Sequence, residues 1–151
     1  MTRNTFAGLV LESEQTLYRV SMSILKNETD CEDAVQTAIL TAYEKLSTLR
    51  NEAYFKTWLI RILINACNKQ LRHRSRHSDL TEDIESNVNN VECLEIREAL
   101  DKLPIKYRQV IVLYYIEEFS VKEIKEILRI PEGTVKSRLS KGRDLLRLTL
   151  E

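Results

Sequence analysis

Apolar residues recur along this chain every three or four positions, and with three Gly and two Pro there is little room for β-turns, so the pattern predicts an all-α protein. A first helix runs from about Phe6 to Leu25, with Phe6, Val10, Leu17 and Ile24 along one face, and Asn27 to Asp30 supply the break after it. The second, from about Cys31 to Leu49, is expected to bury Val35, Ala38, Ile39, Ala42, Leu46 and Leu49. In the third, about Tyr54 to Arg76, Phe55, Trp58, Leu59, Ile62, Leu63 and Ala66 are flanked by Ile60 and Ile64. A helix so apolar belongs at the centre of a small bundle.

Periodicity then stops. Residues His77 to Asn90 contain Asp79, Glu82, Asp83 and Glu85 and read as an exposed linker. Asn89 followed by Glu92 resembles a helix cap, and Cys93, Ile96, Leu100 and Leu103 start a C-terminal domain that Pro104 interrupts. Ile105 to Glu117, with Val110, Ile111, Leu113 and Tyr114, supplies its central helix. Ser120 and Glu123 form a capping box for a short helix from Val121 to Leu128; Arg129 and Ile130 make a tight turn, and Pro131 suits the first turn of the last helix.

That last helix changes the picture, because Val135, Leu139, Gly142 and Leu146 lie on one face while Gly133, Lys136, Ser137, Ser140, Lys141 and Arg143 point away. Between Arg129 and Arg143 there are five basic residues and one acidic one. Helix, tight turn and basic second helix make a helix-turn-helix, whose second helix enters the major groove; an ordinary helical hairpin with solvated cations is the competing reading.

Charge strengthens the first. The net charge is zero, but residues 1–50 sum to −2, 51–78 to +5, 79–101 to −7 and 102–151 to +4. Two basic blocks around an acidic one suit a polyanion bound at two places. On the third helix Thr57, Arg61, Asn65, Asn68 and Arg72 form one polar strip, spaced as nucleic-acid backbones and base edges require or simply solvated. On the second, Asp33, Gln36, Leu40 and Tyr43 mix apolar with polar groups away from the core stripe, a pattern that fits a partner surface or packing against a third helix.

Other chemistry is poorly supported. Cys31, Cys67 and Cys93 are odd in number and lack a Cys-x-x-Cys pair, so they read as reduced, packed thiols rather than a disulfide framework or zinc site. There is no glycine-rich phosphate loop, His-Glu-x-x-His or nucleophile elbow, and His73 and His77 lie in a basic helix tail. The expectation is a non-enzyme without metal, cofactor or small-molecule substrate. No signal peptide is visible, and the longest apolar run, Val110 to Ile116, is far short of the ~20 residues that span a membrane.

With both halves placed, the chain resembles the extracytoplasmic-function (ECF) group of bacterial sigma factors, the small type that keeps only region 2 and region 4. Asp33-Ala34-Val35-Gln36, Phe55-Lys56-Thr57-Trp58-Leu59 with the later Asn65, and Leu103-Pro104 through Gly133-Thr134-Val135-Lys136-Ser137-Arg138-Leu139 carry the resemblance across nearly the whole chain. It implies two small helical domains, region 2 over residues 1–76 and region 4 over 91–151, joined by the acidic linker 77–90. Asp33, Gln36, Leu40 and Tyr43 would dock on core RNA polymerase. The loop Thr48 to Ala53, including Asn51, with Lys56, Arg61, Asn65, Asn68 and Arg72, would hold the melted minus-ten element. Trp58, on the core stripe, is expected to pack. Lys136, Ser137, Ser140 and Lys141 would face the bases of the minus-thirty-five element, with Thr134, Arg138 and Arg143 on phosphates. The partners implied are core polymerase, promoter DNA and an anti-sigma factor, often membrane-anchored, for a protein working in the cytoplasm.

The linker of fourteen residues reaches at most about 46–50 Å, so two sites one to two helical turns apart are feasible once the domains are added. Four positions depart from the family pattern. Arg129 stands where the turn normally has glycine, Lys125 replaces a small residue at the helix crossing, and Thr37 and Lys69 replace acidic ones. Two readings compete: a helix-turn-helix regulator that binds duplex DNA without polymerase, and a protein-interaction module, such as an antagonist of another sigma factor, with no DNA affinity. Neither needs the basic strip on the third helix.

Overall fold

The computed structural model describes residues 1–76 and 91–150, and among them eight α-helices and no strand. The chain forms two compact units, whose boundary falls between Asp83 and Ile84. The linker and the Asn89 cap lie outside the described residues. No described helix is long and apolar enough to cross a membrane.

In the N-terminal unit the first expected helix is two: α1 (Arg3–Glu12), capped by the Thr2 side chain, and α2 (Glu14–Leu25), separated at Ser13. Ser13 is buried at the bend, and its N–H reaches the Leu9 and Val10 carbonyls. α1 is anchored by Phe6, which enters a ring cluster with Tyr43 at 5.4 Å and Phe55 at 5.8 Å. Val10 is only partly buried.

The second helix, α3 (Glu28–Glu44), starts earlier than expected because Asn27 caps it through the Asp30 N–H at 2.9 Å. It ends at Glu44, before a 3₁₀ turn, Leu46–Thr48. Its fully buried row is Cys31, Ala34, Ala38 and Ala42, while Val35, Ile39, Leu46 and Leu49 are only half-buried. Small side chains let α3 lie close against α4 (Phe55–Arg76), its most extensive partner. The centre of the unit is α4, which buries Phe55, Leu59, Ile60, Leu63, Ile64 and Cys67 and leaves Ile62 and Ala66 half-buried. Burial pushes the Cys67 thiol up to about 12 and raises that of Cys31 as well, so both stay protonated at neutral pH. The tail of α4 fastens the α2–α3 turn: Arg74 pairs with Asp30 and donates to the Leu25 carbonyl, and Gln70 donates to the Asp30 carbonyl at 3.0 Å.

In the C-terminal unit α5 (Val91–Asp101) ends before Pro104, which opens α6 (Ile105–Ile111). Buried Arg108 donates to the Leu103 carbonyl at 2.9 Å and the Asp101 carbonyl at 3.3 Å, closing the end of α5 onto α6. Desolvation lowers the pKa of this guanidinium, with Asp101 acting in the opposite direction. The expected continuous helix to Glu117 gives way to a π-helical turn, Val112–Ile116, closed by the Glu117 N–H on the Val112 carbonyl. Val110 to Leu113 are all buried, and the wider turn leaves Tyr114, expected in the core, 37% exposed.

The capping box of α7 (Val121–Leu128) is present in full, Ser120 accepting from the Glu123 N–H and Glu123 from the Ser120 N–H. Arg129 ends α7 in the left-handed region, φ 56°, its N–H on the Lys125 carbonyl. A non-glycine residue there costs about 1–2 kcal/mol, partly offset because a cation at a helix C-terminus recovers about 0.3–1 kcal/mol. Pro131 sits just outside α8 (Glu132–Leu150), where its carbonyl accepts the Thr134 and Val135 N–H groups. Lys125 is exposed.

The close crossing is at Gly142, where an added Cβ would lie 2.9 Å from Ile111 Cγ1 and 3.1 Å from Cδ1. Gly142→Val is therefore expected to destabilise the C-terminal unit by about 2–3 kcal/mol, because overpacking outweighs the few tenths gained in helix propensity. Chemical denaturation of the full chain would read it, and trimming the neighbour with Ile111→Ala should restore part of the loss.

Candidate nucleic-acid interface

Helix α8 separates its two chemistries cleanly. Val135, Leu139 and Gly142 are buried against α6 and α7, whereas Lys136, Ser137, Ser140, Lys141 and Arg143 are exposed and Thr134 and Arg138 partly so. Lys136, Ser140 and Arg143 follow one another at four and three residues, a single line along the helix; Ser137 and Lys141 form the adjacent one. The Ser137 hydroxyl donates to the Thr134 carbonyl at 3.2 Å, which leaves its oxygen free to accept from a base amino group. Arg143 donates through Nη1 to the Tyr115 hydroxyl at 3.0 Å, a contact that periodicity could not reveal, since 28 residues separate the partners.

The strip on α4 is narrower than the spacing alone suggests. Thr57 is buried, at 9% exposure, and faces the core; Arg61 and Asn68 are partly exposed, and Lys56, Asn65 and Arg72 fully so. Asn51 precedes α4 in a 3₁₀ turn, Glu52–Tyr54, that its side chain caps by accepting the Ala53 N–H at 2.9 Å. This turn leads directly into α4, with Tyr54 exposed beside it. Trp58, expected to pack, lies on Phe55 at 5.8 Å and is only partly exposed. Arg74, in the same basic tail, is committed to Asp30 and Leu25.

The third surface is the outer face of α3. Asp33, Gln36, Leu40 and Tyr43 are all exposed and spaced by three, four and three residues, opposite the row of Ala34, Ala38 and Ala42. Among the described residues Leu40 is 65% exposed, whereas Tyr43, 40% exposed, leans on Phe6. A groove of about 590 Å³ between α2 and α3 reaches this face at Gln36, with Tyr18, Arg19 and Glu32 on its walls. Thr37 and Lys69 are both exposed, so neither alters the core.

Both halves of the chain are similar to known proteins. Residues 9–77 match the Sigma-70 region 2 family and residues 93–146 the Sigma-70 region 4 family. The ECF RNA polymerase sigma factor SigW of Bacillus subtilis is 34% identical over 98% of this chain and 90% of its own length. SigV of the same species is 30% identical over 99% and 93%. Among solved structures, the sigma factor RpoE of Bartonella quintana, in complex with the anti-sigma factor NepR, superimposes with a TM-score of 0.83 at 25% identity, over 97% of this chain and 96% of that one. CnrH, in complex with the cytosolic domain of CnrY, gives a TM-score of 0.77 at 26% identity, over 99% and 89%. Two matched regions in the right order, and relatives aligned almost end to end, leave one conclusion: the chain belongs to the ECF sigma factors of RNA polymerase, and it directs the initiation of transcription.

Proposed function

We propose that three faces divide this work, with residues 1–76 acting as region 2, 91–151 as region 4, and 77–90 as the linker between them. The outer face of α3, Asp33, Gln36, Leu40 and Tyr43, docks on core RNA polymerase. Asn51, Lys56, Arg61, Asn65, Asn68 and Arg72 hold the minus-ten element, and the outer face of α8 enters the major groove at the minus-thirty-five element. The observation that carries the assignment is α8 itself, which keeps every basic side chain expected on DNA out of the core while burying its apolar row.

The chemistry follows from the side chains. Lys136 and Lys141 suit guanine O6 and N7, and the Ser137 oxygen suits a base amino donor; Thr134, Arg138 and Arg143 fit phosphates, which set register. At the minus-ten element a base must leave the stack at a cost of a few kcal/mol. Cationic and amide groups beside a pre-capped loop offset that cost by capturing the single strand as polymerase contacts hold the complex together. The same exposed faces suit an anti-sigma factor acting in the cytoplasm: RpoE and CnrH were both solved with a protein partner bound.

Transcription of fragmented genomic DNA by core polymerase, with and without this chain, tests the assignment when starts are mapped. New starts are expected to share two spaced upstream elements, with Asn65→Ala altering only the downstream one and Lys136→Ala only the upstream one. Absence of new starts, together with tight duplex binding by the chain alone, would overturn it in favour of an ordinary regulator.

A further inference from the structure

We infer that Tyr115 is a positioning residue for DNA binding, one that holds the Arg143 guanidinium toward a phosphate and adds its own hydroxyl to the same contact. The inference rests on the assignment of the α8 face to DNA and goes beyond it to a residue on a different element.

Three observations carry it. First, Arg143 Nη1 donates to Tyr115 Oη at 3.0 Å, between two exposed side chains. A guanidinium has five N–H donors in a fixed fork, so one bond to tyrosine fixes its direction and leaves the others for a phosphate. The tyrosine oxygen accepts that bond and keeps its own O–H to donate.

Second, Tyr115 is itself held. It sits edge-on against Tyr114 at 4.9 Å, on the π-helical turn whose inner residues Val112 and Leu113 are buried. A regular helical turn would distribute these side chains differently. The extra residue per turn leaves Tyr114, Tyr115 and Ile116 all exposed, and π turns of this kind gather at working sites. Third, Arg143 continues the line of Lys136 and Ser140 along α8, so the Tyr115 hydroxyl lies at one end of the row assigned to DNA.

A free arginine gives up rotamer entropy when it docks on phosphate; one already held by a neighbour gives up less. Removing the hydroxyl should therefore weaken promoter binding about three- to ten-fold, without changing the number of ions released. The experiment measures affinity of the complete holoenzyme, full chain plus core polymerase, for promoter fragments recovered by start mapping, as a function of salt. Four proteins are compared: wild type, Tyr115→Phe, Arg143→Ala and the double variant. Tyr115→Phe is expected to weaken binding more in the wild-type than in the Arg143→Ala background, with an unchanged salt slope and unchanged thermal stability. Arg143→Ala is expected to lower the slope by about one.

Wild-type affinity for Tyr115→Phe overturns the inference, and so does an equal loss in the Arg143→Ala background, which would mean the hydroxyl acts without the arginine. If Arg143→Ala changes neither affinity nor slope, both the inference and the assignment of Arg143 to phosphate fall. That result is distinct from the first two.

Discussion

Lys141→Glu is expected to abolish dependence on the upstream promoter element while leaving affinity for core polymerase intact. Lys141 is exposed midway along α8, with Val135, Leu139 and Gly142 buried on the other face, so reversing its charge removes no packing. Losing a specific base contact costs about 1–3 kcal/mol, and a carboxylate facing the polyanion adds repulsion. Together the loss approaches about 3 kcal/mol, or roughly a hundred-fold in promoter affinity. Start-site activity on promoters with and without that element, beside a direct polymerase-binding assay, separates the outcomes. If polymerase binding were lost too, the division of labour between the units would be wrong.

The converse experiment addresses α3. Leu40→Asp is expected to weaken polymerase binding by about thirty- to one-hundred-fold while the chain stays folded and Lys141-dependent DNA recognition survives in the C-terminal unit. At 65% exposure Leu40 contributes little to the core, yet burying such a side chain in an interface is worth about 1.5–3 kcal/mol. A carboxylate at the same point would be left desolvated and unpaired, which costs more. Tyr43 is the poorer probe, because its ring leans on Phe6 at 5.4 Å and a truncation there would disturb the N-terminal unit as well. Unchanged affinity in Leu40→Asp would remove this face from the polymerase interface.

Much of this architecture is legible in the order of the amino acids, and for identifiable reasons. The α7 capping box is written in four consecutive residues, Ser120 to Glu123, and it forms as expected because all its bonds are local. The apolar row of α8 and the outward basic face follow from 3.6-residue periodicity alone. Where periodicity misleads, the deciding interaction lies elsewhere in the chain. Ala38 and Ala42 are buried as expected, but Val35 and Ile39, though more hydrophobic, are only half-buried while Ala34 takes the interior of α3, because a close approach to α4 favours small side chains. Thr57 fits a polar strip by spacing, but the packing of α4 turns it inward.

The sequence by itself determined the all-helical class and the basic outer face of α8, since each depends on periodicity and local capping within one helix, whereas the exposure of the mixed face of α3 was left open. Only the tertiary structure decided the bend at Ser13, the π turn that exposes Tyr114 and Tyr115, the clamp of Arg74 on Asp30 and Leu25, and the bond from Arg143 to Tyr115. The reason is physical. A bend or an irregular turn forms where packing of distant residues outweighs a regular hydrogen-bond ladder, and a bond across 28 or 49 residues leaves no periodic trace.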